Sequence, residues 1–238
     1  MSIRPRRHFP RHRLTLTSWF ILSYVIHGTH NVTLEENVAF DTFGHCFLLE
    51  DGGEWDNKFL YNLGATTKRP ETIIRPQESD QVRIQTTTSL LIGGYLNNSL
   101  PPLQVTPTTF WMTTMTNHFI GNVAAGSANV GFWFETMLRE PSRSLPANEG
   151  IRSTRSLPLG TFRDNAAHSC RGNGMATYPS GYRPEGRAVM SGLKFYKNGG
   201  HGLFFAQSQN VTTNDSILSD NVGGMMMKCV LSADFFRA

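Results

Sequence analysis

No catalytic or nucleotide-binding fingerprint occurs in these 238 residues: GxSxG, HExxH, the P-loop and the glycine-rich dinucleotide turn are all missing. The chemistries those motifs carry find no support here. Cysteine is scarce. Cys46, Cys170 and Cys229 are the only three, and none belongs to a CxxC pair, which speaks against a thiolate zinc site. An odd count leaves at least one without an intramolecular partner. All three sit in or beside apolar strand-like runs, as small buried residues do; one disulfide is the alternative. Charge is thin as well: 17% of residues are charged and 39% hydrophobic, the balance of a chain with a core rather than a disordered one. The formal +4 is local. Arg4, Arg6, Arg7, Arg11 and Arg13 all fall in the opening stretch, and the other 17 basic residues face 18 acidic ones, a net charge of −1. The body has no basic footprint, which excludes nucleic acid as a partner.

Long hydrophobic runs are also missing. The best, "LTLTSWFILSYVIHG" at 14–28, is broken by Thr, Ser and Tyr and falls short of the ~20 residues a membrane span requires. It reads as strand. A cleaved signal or anchor behind the basic start is the alternative. No membrane span is expected within the chain unless that run is an anchor. Residues 1–13 are expected to be a basic, disordered N-terminus, and 14–238 one domain.

What the chain does have is Asn, Thr, Gly and Phe, a mix that favours strands and tight turns. One phrase recurs: an apolar residue, an Asn two to four places later, small residues, then in most copies a Gly leading into a short apolar strand. Its asparagines are Asn37, Asn62, Asn122, Asn165, Asn198 and Asn221, at spacings of 25, 60, 43, 33 and 23. The short spacings fit one coil of a solenoid; the long ones fit coils with inserted loops, or an unmarked coil between. Turn-rich stretches at 67–81, 96–109, 139–158 and 178–188 are the expected excursions.

The fold class expected is all-β: a right-handed parallel β-helix with long loop insertions. Asn and Gly suit its bends, and stacked Asn side chains can hydrogen-bond along the coils. Phe132 and Phe134, or Leu203 and Phe205, alternate inward, with Trp133 and Phe204 pointing the other way. Phe47 joins the expected interior.

"HGT" at 27–29, "GHCFLLEDG" at 44–52, "NLG" at 62–64, "NHFIGNVAAGSANVGFWF" at 117–134, "NAAHS" at 165–169 and "FYKNGGHGLFF" at 195–205 carry a resemblance. Together they are similar to the β-helix region shared by the cell-migration-inducing hyaluronidase, its transmembrane relative and the fibrocystin-like receptors. The resemblance runs from about Val25 to Lys228. It implies that "HGT" lies inside a coil, so the preceding apolar run is an earlier strand and the chain is an incomplete piece beginning mid-coil. It transfers no catalytic set. In that family the residues proposed for hyaluronan cleavage lie in an eight-glycine β domain ahead of the β-helix, for which these residues have no room.

Several residues are candidates for chemistry. Glu50, Asp51, Glu54 and Asp56 follow an apolar strand, with Gly52 and Gly53 as a bend. Oxygen ligands so spaced can hold calcium, the one candidate cofactor; the plainer reading is a bend whose carboxylates cap backbone amides. His168 and His201 each stand three places after a repeat Asn, and His45 precedes a strand at a comparable bend. Equal register would stack them into a ladder able to bind a hydroxylated or acidic sugar; the alternative is imidazole satisfying backbone carbonyls. Trp55, Trp111 and Trp133 with Arg163, Arg171 and Lys194 supply the rings and guanidinium or ammonium groups of a glycan groove. Asn31, Asn97, Asn210 and Asn214 lie in glycosylation sequons.

Two functions fit. One is a non-catalytic β-helix module of an extracellular or membrane-anchored protein, binding a polysaccharide or a cell-surface protein along its side. The other is a polysaccharide-degrading hydrolase or lyase with acids and histidines on one face. The candidates are dispersed along the sequence, which favours the first.

Overall fold

The computed structural model describes residues 15–17, 23–49, 52–68, 107–136, 153–178 and 181–228. Among them every regular element is a strand, and the strands recur in a cycle of three. Sheet A holds β1 (Thr15–Thr17), β4 (Val38–Thr42), β7 (Leu63–Thr67), β10 (Val123–Ala125), β13 (Ala166–His168), β16 (Lys194–Tyr196) and β19 (Ile217–Ser219). Sheet B holds β2 (Tyr24–Ile26), β5 (Phe47–Leu49), β8 (Phe110–Met112), β11 (Phe132–Phe134), β14 (Met175–Thr177), β17 (His201–Ala206) and β20 (Gly223–Lys228). Sheet C holds β3 (Thr33–Glu35), β6 (Lys58–Leu60), β9 (His118–Ile120), β12 (Phe162–Arg163), β15 (Ala188–Ser191) and β18 (Val211–Asn214). Each strand pairs in parallel with the strand three before and three after it. That is a parallel β-helix, as expected. The basic N-terminus at 1–13 lies outside the described residues. So do 18–22 of the apolar run, whose flanks at β1 and β2 are strand. No helix among the described residues is long and apolar enough to cross a membrane.

The alternation in each strand decides what fills the tube. In sheet B the rings of Tyr24, Phe47, Phe110 and Phe132 stack inward at centroid spacings of 4.9, 4.6 and 4.6 Å. That spacing is the coil repeat of ~4.8 Å, so each ring sits on its neighbour. Sheet C adds Phe59, Phe119 and Phe162, and Phe134 meets Phe162 edge-on at 5.4 Å. Phe47, Phe132, Phe134, Leu203 and Phe205 are all buried. Sheet A answers these rings with small inward residues, Ala39, Gly64, Ala124 and Ala167. At Gly64 a Cβ would stand 2.2 Å from Thr109 Cγ2, so no larger residue fits there without displacing its neighbour.

The asparagines form ladders. Asn37, Asn62, Asn122 and Asn165 stack at the bend from sheet C to sheet A. The Oδ1 of each accepts the backbone N–H of the one before at 3.0, 3.0 and 2.9 Å. Each Nδ2 from Asn62 onward donates to a strand carbonyl of the preceding coil: Leu34, Phe59 and Phe119. The ladder ends in Leu193, whose N–H donates to Ser216 Oγ. Asn198 and Asn221 belong to the next bend, from sheet A to sheet B, below Cys170: Cys170 N–H donates to Asn198 Oδ1, and Asn198 N–H to Asn221 Oδ1, both at 3.1 Å. The repeat asparagines therefore occupy two bends, and the 33-residue step from Asn165 to Asn198 is not a coil. The 60-residue step from Asn62 to Asn122 is a single coil with an insertion between β7 and β8.

The bends also differ from expectation in one respect. At both, the residue in the left-handed region is the one before the ladder position: Glu36, Tyr61, Gly121, Asp164, Gly192 and Asp215 at one, Asp41, Thr66, Gly126, Ser169, Lys197 and Asp220 at the other. A non-glycine residue in that region costs ~1–2 kcal/mol. Where an Asn follows, as after Tyr61, Asp164, Lys197 and Asp220, its amide–backbone bonds offset it. Gly121 is one place where glycine is demanded, because Tyr61 lies over it and a Cβ would meet the ring at 2.4 Å.

Cys46 and Cys170 are buried and free. Burial pushes their thiols up to about 12 and about 11. Cys229 lies outside the described residues.

Candidate functional site

The bends from sheet B to sheet C line one long edge of the solenoid. In the first two coils they carry His30 and Trp55. The imidazole stacks on the indole at 5.0 Å, and Trp55 N–H donates to His30 Nδ1 at 3.3 Å. Trp55 is 54% exposed, which leaves much of the indole open to solvent. Beneath the pair lies Glu54, fully buried. Its Oε1 accepts Gly28 N–H at 3.3 Å and its Oε2 accepts Gly52 N–H at 2.8 Å, tying the two bends together. Gly28 and Gly52 are both in the left-handed region, which turns their amides toward the carboxylate. Glu54 thus caps backbone amides.

Asp56, next on this edge, faces His118, the first residue of β9. The backbone N–H of Thr161 donates to His118 Nδ1 at 3.1 Å, so Nδ1 is an acceptor and the ring proton sits on Nε2. Nε2 donates to Asp56 Oδ1 at 2.9 Å. Thr161 Oγ1 stands 3.1 Å from Nδ1 as well. His118 therefore links three successive coils, and Lys58 Nζ lies 3.9 Å from Asp56 Oδ2. This half-exposed group presents a ring face, a carboxylate, an imidazole, a hydroxyl and an ammonium across three successive coils. Such a set stacks on a sugar face and exchanges hydrogen bonds with hydroxyls.

The residues singled out from the sequence are not assembled into one groove. His168 and His201 fall on different sheets: His168 ends β13 and stacks on Tyr196 at 4.9 Å, while His201 begins β17. Burial and the nearby Lys197 lower the His168 pKa. His45 shares the sheet B column with His201 but lies four coils away. It is buried, takes Thr108 N–H at Nδ1, and stacks on Trp111; burial pushes its pKa down to about 4. The expected histidine ladder does not form, because equal distance from a repeat Asn is not equal register when the asparagines sit at different bends. Trp111 and Trp133 point away from the core yet are buried, with Nε1 donating to Glu135 Oε2 at 2.8 Å and to Tyr178 O at 2.7 Å. Arg163 pairs with Asp164 beside β12, Arg171 is exposed at the bend after β13, and Lys194 opens β16. Glu50, Asp51 and Asn97 lie outside the described residues; among the described residues no group of three metal-ligating side chains occurs. Asn31, Asn210 and Asn214 are exposed, though Asn210 Nδ2 donates to Pro184 O.

His118 and Thr161 were legible and passed over. "KFLYN" at 58–62, "HFIGN" at 118–122 and "TFRDN" at 161–165 align residue for residue. Aligned, they stack Lys58, His118 and Thr161 on the outer face of sheet C.

Known proteins resemble this chain in sequence. The family model described as the CEMIP beta-helix matches residues 17–175. The chain is 32% identical over 160 residues to the human cell surface hyaluronidase CEMIP2 and 33% over 158 residues to the cell surface hyaluronidase of Danio rerio, covering 66% of this chain and 11% of each relative. It is 30% identical over 156 residues to the mouse cell migration-inducing and hyaluronan-binding protein, again 66% of this chain and 11% of the relative. The chain thus spans about a tenth of the length of these relatives. On the match across residues 17–175 and the three-sheet solenoid, the chain belongs to the CEMIP β-helix family.

Proposed function

We propose that this β-helix is a glycan-binding module of a cell-surface protein, and that it takes a polysaccharide along the edge where sheet B turns into sheet C. The observation that carries the reading is the exposed Trp55–His30 stack beside Asp56, His118 and Thr161. A sugar ring lies on the indole while its hydroxyls meet the carboxylate and imidazole. Relatives named for hyaluronan and for the cell surface support both the ligand class and the location. Trp55→Ala should weaken binding of a hyaluronan oligosaccharide by about 1–2 kcal/mol, roughly five- to thirtyfold. Isothermal titration on the full chain measures it, and an unchanged affinity rejects the site.

One observation favours a second reading, a polysaccharide-degrading enzyme: His118 is oriented by Asp56 and bonded to Thr161, the geometry of a group that holds or moves a proton. Incubation with long hyaluronan separates the two. Chain shortening by the wild type that His118→Ala abolishes selects the enzyme; an unchanged size distribution selects the module.

A further inference from the structure

Farther along the same edge, two arginines come together, and among the described residues no acid balances them. Arg155 and Arg183 belong to the fourth and fifth B-to-C bends, roughly 10–15 Å along the stack from Trp55 at ~4.8 Å per coil. Their segments run side by side: Arg183 N–H donates to Arg155 O at 2.8 Å, and Glu185 N–H to Ser156 O at 3.4 Å. Both are anchored. Buried Tyr182 donates its hydroxyl to Leu157 O at 2.9 Å, and Arg183 Nε donates to Gln207 O at 2.7 Å. Arg155 Nε and Nη2 are shielded from solvent and have no hydrogen-bond acceptor among the described residues. Among the described residues neither guanidinium forms an ion pair, and Glu185, two residues from Arg183, makes none. Arg187 extends the basic strip, its Nε bonded to Thr212 Oγ1 at 2.9 Å. Burial, and then the charge of Arg183, lower the Arg155 pKa. Holding two cations together around unsatisfied donors is unfavourable unless an anion completes the site.

We propose that Arg155 and Arg183 form a subsite for one anionic substituent of a polysaccharide, a carboxylate or a sulfate, held by the guanidinium edges. The proposal rests on the glycan-binding reading for its ligand, and it makes the edge bipartite: a ring stacks at Trp55 and an acidic group farther along the chain pairs at the arginines. A planar guanidinium fork suits both anions, and a pair fixed by backbone bonds loses little freedom on binding.

The test uses the full chain and three probes of equal length: a hyaluronan oligosaccharide, a sulfated oligosaccharide and a neutral chito-oligosaccharide. Titrations compare the wild type with Arg155→Gln, Arg183→Gln, Arg183→Lys and Trp55→Ala, with circular dichroism confirming that each is folded. Arg183 is exposed, so its variants read the site even if Arg155→Gln does not fold. Each Arg→Gln change should weaken an anionic probe about tenfold or more, Arg183→Lys less, and neither should change the neutral probe. Equal dependence on the arginines with tighter sulfated binding assigns the subsite to sulfate; tighter hyaluronan binding assigns it to carboxylate. Anionic affinities within twofold of wild type in both Arg183 variants, with Trp55→Ala still weakened, overturn this subsite and leave the stacking site standing. Arginine-dependent binding that Trp55→Ala leaves untouched does the reverse. A wild type that binds none of the probes overturns both.

Discussion

Replacing Asn122 by alanine cuts the longer asparagine ladder at its middle. Asn122 is fully buried. Its Oδ1 accepts the N–H and the Nδ2 of Asn62, both at 3.0 Å, and its Nδ2 donates to Phe59 O at 2.8 Å and to Asn165 Oδ1 at 3.1 Å. Two partners keep a second bond: Asn62 Nδ2 still reaches Leu34 O, and Asn165 Oδ1 still takes Asn122 N–H. The loss therefore falls mainly on Asn62 N–H, because Phe59 O lies in β6 and keeps its place in the parallel pairing with β9, while each bond lost by a partner that keeps another adds ~0.5–1.5 kcal/mol. Stranding a buried donor or acceptor costs ~1–3 kcal/mol, so the variant should lose about 2–5 kcal/mol. Set against a stability of ~5–15 kcal/mol this is a large fraction, with a fall in Tm of roughly 4–20 °C. Urea unfolding followed by circular dichroism measures it. Asn221→Ala is the comparison: its side chain accepts Asn198 N–H in the same way but is half-buried in the last described coil, so water replaces it and the loss should stay near 1 kcal/mol. An Asn122→Ala protein within ~1 kcal/mol of wild type, at unchanged denaturant slope, would show that the ladder follows the fold and does not hold it.

Phe134→Ala should cost ~3–5 kcal/mol in the same assay, because the ring is fully buried between Phe119 and Phe162 and leaves a cavity; a loss under ~1 kcal/mol would contradict that packing. Burial holds His45 at about 4, below its ordinary 6.5. The unfolded chain therefore takes up this proton first, and stability present above about pH 6.5 drains away as pH falls toward 4, by about 3 kcal/mol. Urea midpoints across that window should fall more steeply for wild type than for His45→Gln, and parallel curves would refute the assignment. In a Cys229→Ser background, Cys46 and Cys170 should resist a thiol reagent until the chain unfolds, since burial raises both thiols; rapid labelling of the native protein would place a cysteine at the surface.

The sequence alone determined the solenoid and its interior. Bends recurring once per coil need particular local chemistry, so the Asn phrase survives in the order of residues, and strand alternation carries Phe47, Phe132, Phe134, Leu203 and Phe205 inward with it. Both are short-range properties, written within a few residues. Phase between coils is not. Asn165 and Asn198 look like successive copies, but the coil neighbour of Asn165 is Leu193, which lacks the amide that marks the pattern. Equal distance from an Asn therefore does not place His168 and His201 in one column. Exposure was equally out of reach for the tryptophans: Trp133 alternates outward as read, yet it is buried, while Trp55 stands in the open. The B-to-C edge, with His30 on Trp55, His118 between Asp56 and Thr161, and Arg155 beside Arg183, joins residues from separate coils. Only the stacking register, set by strand pairing and by where insertions lengthen a coil, decides which of them meet.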